Sequence, residues 1–138
     1  MSQLKATKSD SRSSRHLSRQ SRLFKSILTG IFDKKAESVV SLDLRKIHEA
    51  VADFFVICEA STAVQVKAIA DSVQDKVKAD TGEIPYRVEG QQHGKWVLID
   101  FVNVVVHVMH PEQRAFYQLE EMWSDAPLTE HTPDHTHP

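Results

Sequence analysis

Few side chains in this chain of 138 residues have the type and spacing to do chemistry, and each has a plainer use beside the chemical one. Glu89 and Asp100 could pair as two carboxylates, the least equipment for acid–base work or for holding a divalent metal. Asp100 also closes an apolar run, where a carboxylate more often accepts hydrogen bonds from turn amides. His107 stands among valines, a setting that favours a core histidine held by one neighbour over a proton carrier. Cys58, the single cysteine, follows Phe55, Val56 and Ile57 and reads as a small buried residue rather than a nucleophile. Without a second cysteine there is no internal disulfide. His131, His135 and His137 offer imidazole nitrogens but sit beside Pro133 and Pro138 in a stretch of tail composition, so metal binding there is at most adventitious. Gly30, Gly82, Gly90 and Gly94 fall in no phosphate-cradling spacing. The expectation is a chain with no catalytic residue, no metal and no cofactor.

The elements that position these residues are organised around Trp96 to Met109, WVLIDFVNVVVHVM, the most apolar and β-branched run in the chain. Its length exceeds an ordinary strand, so two strands meeting at a tight turn near Asp100 to Asn103 are expected. Apolar residues on both alternating faces imply cover above and below. Upstream, Leu23, Phe24, Ile27, Leu28, Ile31 and Phe32 make the stripe of an amphipathic helix, which Gly30 weakens locally. Val40, Leu42 and Leu44 alternate as a first strand, and Phe54 to Cys58 is a second. Ser61 or Thr62 caps a second helix, buried through Val66, Ile69, Ala70, Val73 and Val77 and ended by Gly82. Ile84 to Val88 reads as a third strand with Pro85 at its entry. Pro111 opens a third helix whose apolar face is Phe116, Leu119, Met122 and Trp123. The predicted order is αββαβββα. It describes an α/β (α+β) fold with a mixed five-stranded sheet and about three helices.

Charge divides the chain. Residues 1–26 carry a net +6, from Lys5, Lys8, Arg12, Arg15, Arg19, Arg22 and Lys25 against Asp10, while the rest carries −8. Residues 1–22 hold almost nothing apolar and read as a disordered basic leader: a solvated tail, an RNA-touching arm or an organellar transit peptide. Residues 127–138 read as a disordered tail. No apolar run approaches the roughly 20 residues that a membrane span needs, so a membrane partner is not expected.

Several phrases in one order carry more than any alone: D-F-F-V-I-C at Asp53 to Cys58, Q-V-K-A-I-A-D at Gln65 to Asp71, E-G at Glu89 and Gly90, W-V-L-I-D-F, V-V-V-H-V-M, and R-A-F-Y-Q-L-E-E-M-W at Arg114 to Trp123. Over residues 23–126 this pattern resembles the ribosomal silencing factor (Iojap-like) family. The resemblance implies a nucleotidyltransferase-like core without its catalysis, since the Gly-Ser turn and Asp-x-Asp metal pair of such enzymes are absent and Asp43 stands alone in S-L-D-L-R. It implies a cytoplasmic factor, with organellar import the lesser alternative. Such a factor binds the large ribosomal subunit through the protein numbered fourteen and blocks joining of the small subunit when nutrients are short. Contact of the basic leader with rRNA and homodimerisation of the free protein stay open.

For the partner surface the expected residues are Trp96, Leu98, Asp100 and Asn103, with Arg114 and Tyr117 as neighbours. Tryptophan is an enriched interface anchor, and Asp100 could receive a charge-assisted bond from a partner Lys or Arg. Core packing is the competing role for Trp96, and an internal salt bridge for Arg114. Two departures stand out. Many members carry Gly where this chain has Ala60, which would strain a turn requiring positive φ, and many carry Asp where it has Asn103. The alternatives to silencing are a divergent metal-dependent nucleotidyltransferase using Asp100 and Glu89, and a protein-interaction module that acts away from ribosomes.

Overall fold

The computed structural model describes residues 21–133. The apolar stripe at the start is helical over 21–33 (α1), with Leu23, Ile27, Leu28 and Ile31 buried. The strands are Glu37–Asp43 (β1), Phe54–Glu59 (β2), Arg87–Glu89 (β3), Trp96–Asp100 (β4), Val104–Met109 (β5) and Leu128–His131 (β6). They form one sheet in the order β3-β4-β5-β2-β1-β6. Only β2 and β5 pair in parallel; the other neighbours are antiparallel. The hub run is therefore a hairpin, β4 and β5, that turns at residues 101–103, as its length demanded.

Helices cover the two faces unequally. One face packs its Val56, Cys58, Val97, Ile99, Val104, Val106 and Val108 against α1 and the long helix Ala63–Thr81 (α2). Thr62 starts α2, its hydroxyl accepting from the Gln65 N–H at 3.1 Å. The Gln65 amide donates to the Lys34 carbonyl instead of closing a capping box. The other face packs Val40, Leu42, Phe55, Ile57, Val105 and Met109 under Leu44, Ile47 and Ala50 of the β1–β2 connector and under Leu119, Trp123 and Ala126.

Five sequence expectations are corrected. The sheet has six strands among the described residues rather than five, because residues 128–131 add to the free edge of β1. Nothing in LTEH alternates strongly; this edge strand is held by ladder bonds and by His131 Nε2 against the Ser41 hydroxyl at 2.8 Å. That part of the expected tail is ordered, whereas residues 134–138 and 1–20 lie outside the described residues, and residues 21 and 22 already belong to α1. The third strand begins at Arg87 rather than Ile84, since Pro85 offers no ladder donor and both Ile84 and Tyr86 are exposed. The third helix is two: Pro111–Tyr117 (α3) and Leu119–Met122 (α4), separated by Gln118 in the left-handed region at φ 47°. Ala60 causes no strain, for it is absent from the positive-φ residues, which are Lys35, Ser38, Val102 and Gln118 besides glycine.

Gly30, read as a weak point of α1, is where α1 and α2 touch. A Cβ there would lie 2.8 Å from the Val73 Cα and 3.0 Å from the Ser72 carbonyl oxygen. The Ser72 hydroxyl donates to the Gly30 carbonyl at 2.8 Å, and the Ser26 hydroxyl donates to Asp80 at 2.7 Å, so polar bonds lock the same seam. Helix propensity favours alanine over glycine by about 1 kcal/mol, but a rigid backbone clash typically costs about 1–3 kcal/mol. Gly30→Ala is therefore expected to lower the free energy of unfolding in urea; an increase would mean that the helices are not in close contact.

Candidate functional site

Cross-strand register sorts the half-covered face into rows. One row runs Arg87, Asp100, Val105, Phe55, Leu42, Leu128, and the next runs Glu89, Leu98, His107, Ile57, Val40, Glu130. Trp96 lies opposite Met109 in the row after those. The middle of each row is buried and roofed, and apolar but for His107. At the β3–β4 end the roof stops: Trp96, Leu98 and Asp100 are half-buried, and Arg87 and Glu89 are exposed.

Trp96 lies at the boundary between core and surface. Its indole packs beside the second core cluster, and its Nε1–H donates to His107 Nδ1 at 3.1 Å. Because Nδ1 accepts, the neutral imidazole of His107 carries its proton on Nε2. That nitrogen is buried with no hydrogen-bond partner, and burial pushes the His107 pKa down to about 4. The ring meets Phe55 edge-on at 4.7 Å. On its outer side Trp96 meets Tyr117, ring centroids 4.8 Å apart, and Tyr117 meets Phe116 at 5.0 Å. Phe116 is 79% exposed and Tyr117 44%. The expected apolar face of one long helix thus divides at Gln118: Leu119 turns into the core, and Phe116 and Met122 stay in solvent.

The carboxylates are occupied. Asp100 Oδ1 accepts from the Val102 N–H at 2.7 Å, and Arg87 bridges the acids, its Nε at 3.3 Å from Asp100 and its Nη1 at 3.3 Å from Glu89. A cation lies where a shared metal would be needed. Among the described residues no three His, Cys, Asp or Glu side chains are grouped to hold a metal ion. Asp43, isolated in sequence, pairs with Arg45 at 2.7 Å, which holds its carboxyl below the usual range. Cys58 is fully buried, and desolvation pushes its thiol up to about 12, so the nucleophilic thiolate is not formed near neutrality.

Asn103 is half-buried in the turn after β4, and its carbonyl accepts from the Asp53 and Phe54 N–H groups at 2.8 and 3.1 Å. Arg114 is committed elsewhere. Its side chain is 11% exposed, and the guanidinium bonds Glu120 at 2.9 Å, Glu59 at 3.1 Å and the Ser38 carbonyl at 2.6 Å. It ties α3, the helix bearing Tyr117, to α4, β2 and β1. The structure therefore brings Trp96, Leu98, Asp100 and Tyr117 together, sets Asn103 at the hairpin end, and turns Arg114 inward. Sequence reasoning missed Arg87 and the exposure of Phe116. Alternation in R-V-E against W-V-L-I-D could have found Arg87; the break at Gln118 has no apolar-periodicity signal.

Comparison with known proteins follows the same residues. The family model described as "Ribosomal silencing factor during starvation" matches residues 17–138. This chain belongs to the ribosomal silencing factor family. It is 46% identical over 103 residues to the Ribosomal silencing factor RsfS of Halalkalibacterium halodurans, covering 75% of this chain and 86% of that one. Identity to the Bacillus subtilis RsfS is 41% over 98 residues, covering 71% and 81%. A crystal structure of a Chromobacterium violaceum protein superposes with a TM-score of 0.70 at 33% identity, covering 74% of this chain and 83% of that chain. Silencing factors of this family are regulatory proteins that act on the ribosome. Among its described residues no helix is long and apolar enough to cross a membrane.

Two outcomes follow from the buried polar groups. His107 binds a proton less readily folded than unfolded, where its pKa is about 6.5. The unfolded state therefore takes up protons first as pH falls, and stability is lost between about 6.5 and 4, then levels off below that. Denaturation curves should show up to about 3 kcal/mol of that loss, and His107→Phe should flatten it; an unchanged slope would show that other groups set the acid limb. Arg114→Met leaves Glu59 and Glu120 without their cation, an expected loss of roughly 1–3 kcal/mol given their partial exposure.

Proposed function

We propose that this protein represses translation by docking its half-covered sheet face on the large ribosomal subunit, at the protein numbered fourteen, and so obstructing the small subunit. The observation that carries the reading is the strip at the β3–β4 end: Trp96 and Leu98 half-buried, Tyr117 and Phe116 exposed beside them, and Asp100 and Glu89 at the rim. Aromatic and aliphatic anchors surrounded by charge are the anatomy of a protein interface. The acidic body, net −8 beyond residue 26, suits a basic ribosomal protein better than bare RNA, and this charge also favours rapid encounter.

The mechanism is steric occupation. No bond is made or broken; the bound domain fills space that the small subunit would enter. Asp100 and Asn103 supply polar rim contacts, and Arg114 holds α3 so that Tyr117 stays against Trp96. The basic leader, net +6 over residues 1–26, reaches neighbouring rRNA phosphates, a contact that salt weakens. The setting is the cytoplasm.

Purified subunits sedimented with and without the protein test this directly. Wild type is expected to co-migrate with large subunits and to reduce joined ribosomes. Leu98→Asp, which puts a charge into the strip, should weaken binding at least tenfold, as should Trp96→Ala. Melting curves run alongside separate loss of contact from loss of fold. Free migration of the wild-type protein with joining unchanged would rule the reading out.

A further inference from the structure

The β4–β5 hairpin holds one residue in a conformation that its side chain opposes. Val102 has a φ of 76°. The Asn103 N–H donates to the Phe101 carbonyl at 3.0 Å, closing a three-residue γ-turn of the rare, strained, positive-φ form. Glycine takes that backbone without steric cost and asparagine with little, whereas a β-branched side chain there is an outlier. The hydrogen bonds of the turn do not call for valine. Asp100 accepts from the Val102 N–H at 2.7 Å, and the Phe101 N–H donates to the Val104 carbonyl at 2.9 Å; any residue with a backbone N–H would serve. Core packing does not call for it either, since Val102 is 57% exposed and belongs to neither core cluster.

A strained, solvent-facing apolar side chain at a binding rim is a residue kept for contact rather than for folding. We propose that Val102 is a specificity-determining contact of the docking face, an isopropyl knob that buries against an apolar spot on the ribosomal protein it meets. The inference rests on the docking reading above and deepens it. Position supports it: Val102 lies between Asp100 and Asn103, and Tyr86, 77% exposed, donates its N–H to the Asp100 carbonyl at 2.7 Å, so a second exposed apolar ring borders the same hairpin end. Rigidity supports it too, because a knob fixed by the turn bonds loses little freedom on binding. The chemistry selects a protein rather than a phosphate backbone as the occupant, for an isopropyl group offers an RNA phosphate neither charge nor a donor.

Val102→Gly and Val102→Asn both relax the turn and keep its backbone bonds. They should be compared with wild type and with Trp96→Ala in thermal melts and in titrations of purified large subunits. Both variants are expected to melt at or above the wild-type temperature and to bind large subunits roughly threefold to tenfold more weakly, the share of a partly buried isopropyl group. Wild-type affinity in both variants, with Trp96→Ala defective, would overturn the contact role and leave the docking reading standing. Lower melting temperatures in both would make Val102 a folding residue and overturn it as well. No binding by wild type would remove the docking reading, and the contact role with it.

Discussion

Pairing of β5 with neighbours on both sides is the constraint on which the rest of the structure depends. Every residue of Val104–Met109 is buried, because β2 lies parallel on one edge, β4 antiparallel on the other, and cover lies above and below. A strand in that position cannot slip by one residue without exchanging its two faces. Its register therefore dictates that of β4, and the register of β4 sets Leu98 opposite His107 and Asp100 opposite Val105. The candidate site is an outgrowth of this pairing, the part of one covered face that extends past the roof.

The unequal cover has a simple origin. α1 and α2 are long enough to roof one face, and polar bonds at Gly30 and Ser26 bring them close together. The other face has only a connector and two short helices, and these end over β5 and β2. A sheet side left partly bare would ordinarily invite aggregation; here charge at Arg87, Glu89 and Asp100 interrupts the apolar surface. The Arg87 guanidinium also lies between the two carboxylates and pairs with both.

Stability has been surrendered at two points close to this strip. His107 accepts the Trp96 indole N–H at the expense of an unpartnered buried Nε2, and the strained Val102 stands at the hairpin end. A buried donor without a partner costs about 1–3 kcal/mol. Both concessions lie on or beside the half-covered face, whereas the α1–α2 face is densely apolar.

Much of this was legible in the residues. Alternation and β-branching in the hub run specified a hairpin with its turn near Asp100 to Asn103, and helical periodicity located α1 and the buried face of α2. The joined phrases pointed to the family, and a −8 body behind a +6 leader pointed away from bare RNA for the domain. Other features had no local signal. β6 exists because β1 has a free edge; α3 stops because Gln118 turns left-handed; and Arg114 points inward because Glu59 and Glu120 converge on it from distant sequence positions. By itself the sequence determined which segments pleat or coil and which side of each is apolar, since those depend on neighbours along the chain. Only the tertiary structure decided that Trp96 both bonds to His107 and meets Tyr117 at the end of the roof, because how far cover extends over a sheet depends on the packing of the whole chain.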